Sequence, residues 1–470
     1  MREETTRRRM LGGIGLTGAY SVFGNRLRSW NRDHHERKKK GNDGNTHDEN
    51  CGRITNACVE VTSLDMSGLS LGHTTFRNGS TRGKTLDLFV SPGSGAAAPA
   101  DGSTDRFYAV GDRGPNIHHD DAKEVTGLDP SFFGDQSGGK IFTDPGYTPS
   151  IYEIELGHGT PRVVNTIPLA DTDGHDITAI SNPLTVTDTE VAYSMNGARI
   201  PYDPNGMDVE AVAQLTDGTF WIAEEYAPSL AHVDANGRIL DRIVPAGVDT
   251  DLSDATYSVT GDLPAIIRRR KLNRGIEGFG VTPDESAIFF ALQSPLANPD
   301  VNTSNTSRNV RIFRFDLDSK SVTDEYLYRL DLPGTFEKDN ADGSPDQHDV
   351  KVSELKVLGE ETLLVLERVN ETMKLYRVNL DGVSTVPETF DDVNTTPTLE
   401  SLDATGLADA GVEAVPKDLT FDTDDYDGLP SKIEGVAILD DREFVLMNDS
   451  DFGLGDATPQ VVSVRHHRSL

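Results

Sequence analysis

Cysteine is scarce in this chain, positive charge is scarce beyond its first forty residues, and a sustained helical period is missing altogether. Two cysteines among 470 residues, Cys51 and Cys58, leave no third thiol for a cysteine-based metal site. They allow one small disulfide loop at the start of the folded region. Residues 1–40 hold 11 of the 44 Lys+Arg and four of the 77 Asp+Glu, so 33 basic residues face 73 acidic ones in the remainder. Nucleic acid is bound through a basic stripe, and this body has none, which disfavours nucleic acid as a partner. Without apolar residues recurring at a 3.6 period over ten or more positions, a helical body is disfavoured as well. The weakly apolar run from Leu11 to Phe23 is too short to span a bilayer.

What is present is repetition. Five apolar runs break off into acidic or amide residues at the same relative place: 107–113 (ending Asp112-Arg113), 220–225 (Glu224-Glu225), 289–293 (Gln293), 364–368 (Glu367-Arg368) and 444–449 (Asn448-Asp449). Short runs rich in aromatic and β-branched side chains, bounded by turn residues, read as buried strands. A second recurring unit precedes several of them: Glu210-Ala211, Glu277-Gly278 and Glu434-Gly435 each open a strand that ends in a turn, with a weaker copy at Ser353-Glu354-Leu355. In an antiparallel hairpin the start of one strand and the end of the next share an edge, so both acids meet there. The expected fold is therefore all-β, a β-propeller of six blades, with seven as the alternative. Val191–Asn196 is expected to supply a sixth core strand, and 59–465 to form the propeller domain.

An acidic excess with Arg favoured over Lys suits a surface kept hydrated in high salt, where self-repulsion is screened. The N-terminus, Thr6-Arg7-Arg8-Arg9-Met10-Leu11 followed by a glycine-rich apolar run, resembles a twin-arginine export signal over 1–24. Residues 25–58 read as a disordered basic and polar linker. Export to the cell surface or medium is the expected localisation. Membrane contact is expected only through an uncleaved signal, and the protein is expected to be a monomer.

The segments Gly111-Asp112-Arg113-Gly114-Pro115-Asn116, Asp208-Val209-Glu210-Ala211, Ala223-Glu224-Glu225-Tyr226, Asn273-Arg274-Gly275-Ile276-Glu277-Gly278 and Glu434-Gly435-Val436-Ala437 together resemble the family described as esterase-like activity of phytase. The resemblance, to a haloarchaeal-type exported member, spans roughly Val59 to Ser463. It implies a β-propeller and a phosphoesterase or esterase activity.

Hard oxygen ligands at several strand ends suit Ca²⁺, which takes six to eight carboxylate, amide and carbonyl oxygens. The candidate ligands are Asp112, Glu210, Glu224, Glu277, Glu367, Glu434 and Asp449; the alternative is that they are salt-adapted surface acids. Glu225 joins Arg113, Arg368 and His348 as candidate catalytic groups. Each arginine follows an acid and can fork onto phosphate oxygens or else bridge blades. His348 can act as general acid or base, or remain a loop histidine. A dense polyanion would be repelled by Glu210, Glu225, Glu277 and Glu434 unless a divalent cation inverts the local potential. Three functions fit these residues: a Ca²⁺-dependent phosphoric-ester hydrolase acting on a small-molecule ester, a carboxylic ester or lactone hydrolase on the same metal, and a non-catalytic binding propeller.

Overall fold

The computed structural model describes residues 57–75, 85–134, 138–157, 159–455 and 457–470. Residues 1–24, expected as an export signal, most of the expected linker and Cys51 lie outside the described residues. Ala57 and Cys58, expected as the end of the linker, already belong to the strand Ala57–Ser63, and Cys58 is disulfide-bonded.

The body is all-β. In chain order of their first core strands, the first sheet joins Gly95–Ala97, Arg106–Val110, Ser150–Glu155 and Arg162–Pro168. The second joins Val209–Gln214, Phe220–Glu224, Ser229–Val233, Ile239–Pro245 and Ser258–Leu263. The third joins Ile276–Val281, Ala287–Leu292, Asn309–Asp316 and Ser321–Arg329, and the fourth Lys351–Gly359, Thr362–Arg368, Met373–Asn379 and Lys417–Asp422. In the fifth, Ile433–Ile438, Glu443–Asn448 and Gln460–His466 are completed by Ala57–Ser63 from the other end of the chain, antiparallel to Gln460–His466.

The short apolar run visible in the sequence forms the second strand of each sheet, buried because both of its faces meet neighbouring sheets. Phe279, Ile288, Phe290 and Phe313 share one core cluster with Ala211, Trp221 and Ile243 of the second sheet. Phe289 and Ile312 share another with Leu355 and Val365 of the fourth. The leading strands touch in succession: Gly95–Ala97 with Val209–Gln214, that with Ile276–Val281, then Lys351–Gly359, then Ile433–Ile438, and the last with Gly95–Ala97 again.

Where six blades were expected, the described residues contain five sheets of four or five strands. The missing one was assigned to Val191–Asn196, but Ala192–Ser194 pairs in parallel with Lys140–Phe142 in a separate three-stranded sheet that also holds Asn116–His118. A two-residue apolar patch looks alike in either setting.

The candidate acids owe their direction to a backbone irregularity. In the second to fifth sheets the pairing between leading and second strand slips by one residue, between Val209 and Ala211, Ile276 and Gly278, Val352 and Glu354, and Ile433 and Gly435. A bulge of this kind leaves one residue unpaired and re-aims its side chain. The re-aimed residues are Glu210, Glu277, Ser353 and Glu434. The residue that follows is small in three sheets because the next sheet lies against it: a Cβ on Gly278 would overlap the backbone of Glu354 and Leu355. In the fourth sheet the sequence-matched Glu354 takes this second place. Its carboxylate points away from the bulge, accepting from the Ala96 amide at 3.3 Å and facing Lys356 Nζ at 3.0 Å.

Candidate active site at the sheet ends

The strand ends open into one cavity of about 420 Å³. Register shows which residues reach it. Ala223, Ala291, Leu366 and Met447 face the residue after the bulge in their sheets, and two positions further on lie Glu225, Gln293, Arg368 and Asp449. Val110, opposite Gly95, places Asp112 equivalently in the first sheet. All five line the cavity, together with the bulge acids Glu210, Glu277 and Glu434 and with Arg113 and His348.

Glu224 and Glu367 do not join them. Side chains alternate along a strand, so the residue just before the cavity position turns into the sheet interior. Glu224, fully buried, accepts from Arg242 Nη2 at 2.5 Å, Ser229 Oγ at 2.9 Å and the Tyr226 amide at 2.9 Å. Glu367, also fully buried, accepts from Tyr328 OH at 2.6 Å and the Asp331 amide at 2.8 Å, and pairs with Lys417. Both serve packing rather than the mouth. The same register corrects the matching of Arg113 with Arg368: the counterpart of Arg368 is Asp112, and Arg113 lies one residue further on.

Arg113 is a buried hub. Its Nε donates to Asp112 Oδ1 at 2.8 Å, Nη1 to Glu190 Oε2 at 2.5 Å and Nη2 to Glu225 Oε2 at 2.8 Å, with Asp208 pressed against Nη2 as well. Its amide donates to Asp208 Oδ1 at 3.0 Å. With its guanidinium turned to four protein carboxylates, Arg113 positions acids. Burial raises the Asp208 carboxyl well above the usual range, and the adjacent Asp112 adds to this. Burial acts the same way on Asp112, but Arg113 and a hydrogen bond with Asp208 override it and hold Asp112 low.

Glu210, Glu277 and Glu434, from three different sheets, bring one carboxylate oxygen each within 4.8 Å of one another. A second such group, Asp112, Asp208 and Glu210, shares Glu210 with the first, but its two aspartates are already paired with Arg113. Burial, then Glu277 and Asp208, raise the Glu210 carboxyl well above its ordinary value. Burial, then Glu225, push Glu277 up to about 8, against the pull of Arg368, Lys351 and Arg274. Gln293 Nε2 donates to Glu277 Oε1, while Glu277 Oε2 is buried with no hydrogen-bond partner among the described residues. Three crowded carboxylates with an unsatisfied oxygen fit a hard divalent cation, whose charge would offset the burial and the repulsion that raise Glu210 and Glu277.

The lining also holds a set of basic groups. Arg368 Nε donates to Ser353 Oγ at 2.8 Å, Nη1 to the Val369 carbonyl at 2.9 Å and Nη2 to Glu434. Lys432 Nζ reaches Asp449 Oδ2 at 2.6 Å and Asp451 Oδ1 at 2.5 Å. Lys271, Arg274 and Lys351 complete this side. His348 sits in the turn Gln347–Asp349 with Nε2 3.5 Å from Asp349 Oδ1, and its side chain is 19% exposed. The sequence reading quoted Asp208 and Arg274 within motifs but gave them no role, and it missed Glu190, Lys271, Lys351 and Lys432. Lone residues outside any repeat carry no signal that separates them from surface charge.

A model of the phytase-like family, described as esterase-like activity of phytase, matches residues 93–452. The chain belongs to that family. The match contains the five cavity positions and all three bulge acids of this phytase-like chain. A protein of Arthroderma benhamiae described as an uncharacterized secreted protein is 23% identical over 257 residues, covering 49% of each chain. The phytase-like chain thus spans about half the length of that curated relative. Among solved structures, it is similar to a luciferin-regenerating enzyme at 10% identity and TM-score 0.33, over 88% of this chain and 97% of the other. It is also similar to the Cps50 (Swd1) β-propeller domain of Myceliophteria thermophila at 8% identity and TM-score 0.29, over 80% and 97% of the two chains.

Proposed function

We propose that the five sheets are the blades of a closed propeller and that its mouth is a Ca²⁺-dependent centre hydrolysing phosphoric esters. One observation carries this reading: Glu210, Glu277 and Glu434, 67 and 157 residues apart in sequence, converge within 4.8 Å inside an open cavity. Family membership supports the hydrolase and phosphoester part. A bound divalent cation supplies charge that polarises an ester oxygen and lowers the pKa of water.

The chain's own residues do the remainder. Glu210, Glu277 and Glu434 hold the cation, with Asp112 and Asp449 at the rim. Arg113 fixes Glu225 and Asp112 in place by hydrogen bonds. Arg368, whose guanidinium borders both Glu434 and the cavity, neutralises charge developing on the ester. His348, at the cavity edge beside Asp349, moves a proton to the leaving oxygen or from water. Export is supported by the twin-arginine pattern at Arg7–Arg9 and by the secreted relative; among the described residues no helix is long and apolar enough to cross a membrane.

The test is turnover of an aryl phosphate beside an aryl acetate and a lactone, each with Ca²⁺ and after exhaustive chelation. Phosphate hydrolysis lost on chelation and regained with Ca²⁺ is the expected result. Undiminished turnover without metal removes the cation from the reading, and turnover of the acetate or lactone alone moves the activity to carboxylic esters.

A further inference from the structure

Three cations on one wall of the cavity have no ion-pair partner among the described residues. Lys351 begins the leading strand of the fourth sheet, and Arg274 and Lys271 lie in the segment that enters the third. Among the described residues none has a carboxylate oxygen within 4.0 Å. Lys271 Nζ donates to Asn305 Oδ1 at 2.6 Å and Arg274 Nη1 to Gln293 Oε1, both neutral acceptors. The Lys351 amine has no side-chain partner among the described residues. In the same cavity Arg113, Arg368 and Lys432 are each closed by carboxylates. A chain with 77 acidic and 44 basic residues has acids to spare, so three unpaired cations side by side are not explained by a shortage of partners.

The sheet equivalences show where this wall lies. At the ring position where the first, second and fifth sheets present Asp112, Glu225 and Asp449, the third presents neutral Gln293 and the fourth Arg368. The bulge acid is replaced by Ser353 in the fourth sheet alone among the four with a bulge. At this ring position the mouth is thus acidic in three sheets, neutral in the third and basic in the fourth, and the basic groups without an acid lie where the third and fourth adjoin. The cations repel one another: burial, then Arg368 and Arg274, push the Lys351 ammonium well down, and burial, then Arg274, bring Lys271 to about 8. The acids facing them, Glu277 toward Lys351 and Asp349 toward Lys271, do not offset this.

We infer that Lys271, Arg274 and Lys351 form an oxyanion subsite that takes a doubly charged tetrahedral group of the substrate, set beside the carboxylate triad and separate from it. Two ammonium groups and a guanidinium fork supply donors to three oxygens of such a group. The inference rests on the mouth being the substrate site, and it narrows the substrate to an ester that carries its anionic charge at one end.

Binding of inorganic phosphate to the metal-free full-length chain tests it, by calorimetry at low ionic strength. One saturable site is expected, weakened by added NaCl. Affinity should fall at least tenfold in Lys351→Met and in Lys271→Met, and be lost in the double variant. Lys320→Met, an exposed lysine paired with Asp241 on the outer surface, should bind as the wild type does. Lys271 lies outside the sheets and provides the reading if Lys351→Met does not fold. No saturable site, or unchanged affinity in a folded Lys271→Met variant, overturns the subsite. Phosphate binding as described without turnover of any ester leaves the subsite standing and removes the hydrolase; chelator-sensitive turnover without phosphate binding does the reverse.

Discussion

Glu224 and Glu225 are neighbours in sequence, both buried and both paired with an arginine, yet Glu224 turns into the second sheet and Glu225 into a cavity where other acids crowd. Glu224 is enclosed in the second sheet, where a guanidinium, a hydroxyl and an amide answer its charge. Around the cavity, Glu210, Glu277 and Glu434 face one another, and their charge is answered by too few cations. Both regions are buried and acidic, so burial does not distinguish them. The difference is compensation: the interior acid has its partners supplied by the fold, whereas the crowded acids have fewer cations than charges, a pattern common at binding and catalytic sites.

The comparison is broken most severely by removing a partner from the compensated side. Arg242→Met leaves Glu224 buried and unpaired and should lower the unfolding free energy by about 3–5 kcal/mol, read by denaturant titration. On the uncompensated side the sign reverses. Glu277→Gln should melt at or above the wild-type temperature in chelator, yet lose most of the stabilisation that Ca²⁺ confers, a loss of tenfold or more in affinity, or about 1.4 kcal/mol.

The third test uses pH. Glu277 is raised from 4.5 to about 8 in the folded chain, so its contribution is fully present below pH 4.5 and is lost as pH rises through about 8. Relative to Glu277→Gln, the metal-free wild type should therefore lose stability across that window, in a series of melts at stepped pH. Saturating Ca²⁺ should flatten the trend. The smallest effect belongs to an exposed pair: Lys320→Ala, facing Asp241 at 2.8 Å, should cost under about 1 kcal/mol in the same titration.

Much of this contrast was legible in the sequence, and its limits have a physical cause. Apolar runs ending in acids identify hairpin edges, because only a strand end buried between sheets combines those two properties. Which of two consecutive acids faces the cavity was not legible, since alternation inverts with a one-residue change of register, and the Glu-small pair that opens three of the sheets does not by itself reveal the bulge that sets it. Ser353-Glu354 shows this: it resembles the repeated unit, yet the serine occupies the bulge. The sheet count failed at Ala192–Ser194, where three residues suit a core strand and a peripheral one equally. The basic wall was invisible because Lys271, Arg274 and Lys351 acquire meaning only from the carboxylates they lack in space.

Ala57–Ser63 sits beside Gln460–His466, and that pairing governs when the mouth can exist. Two of its acids, Glu434 and Asp449, belong to the sheet in which the chain's opposite ends meet. A nascent chain would carry Glu210 and Glu277 long before it could assemble a full set of ligands. Any ligand that needs Glu434 together with Glu210 and Glu277 would therefore have to wait until the fifth sheet has closed.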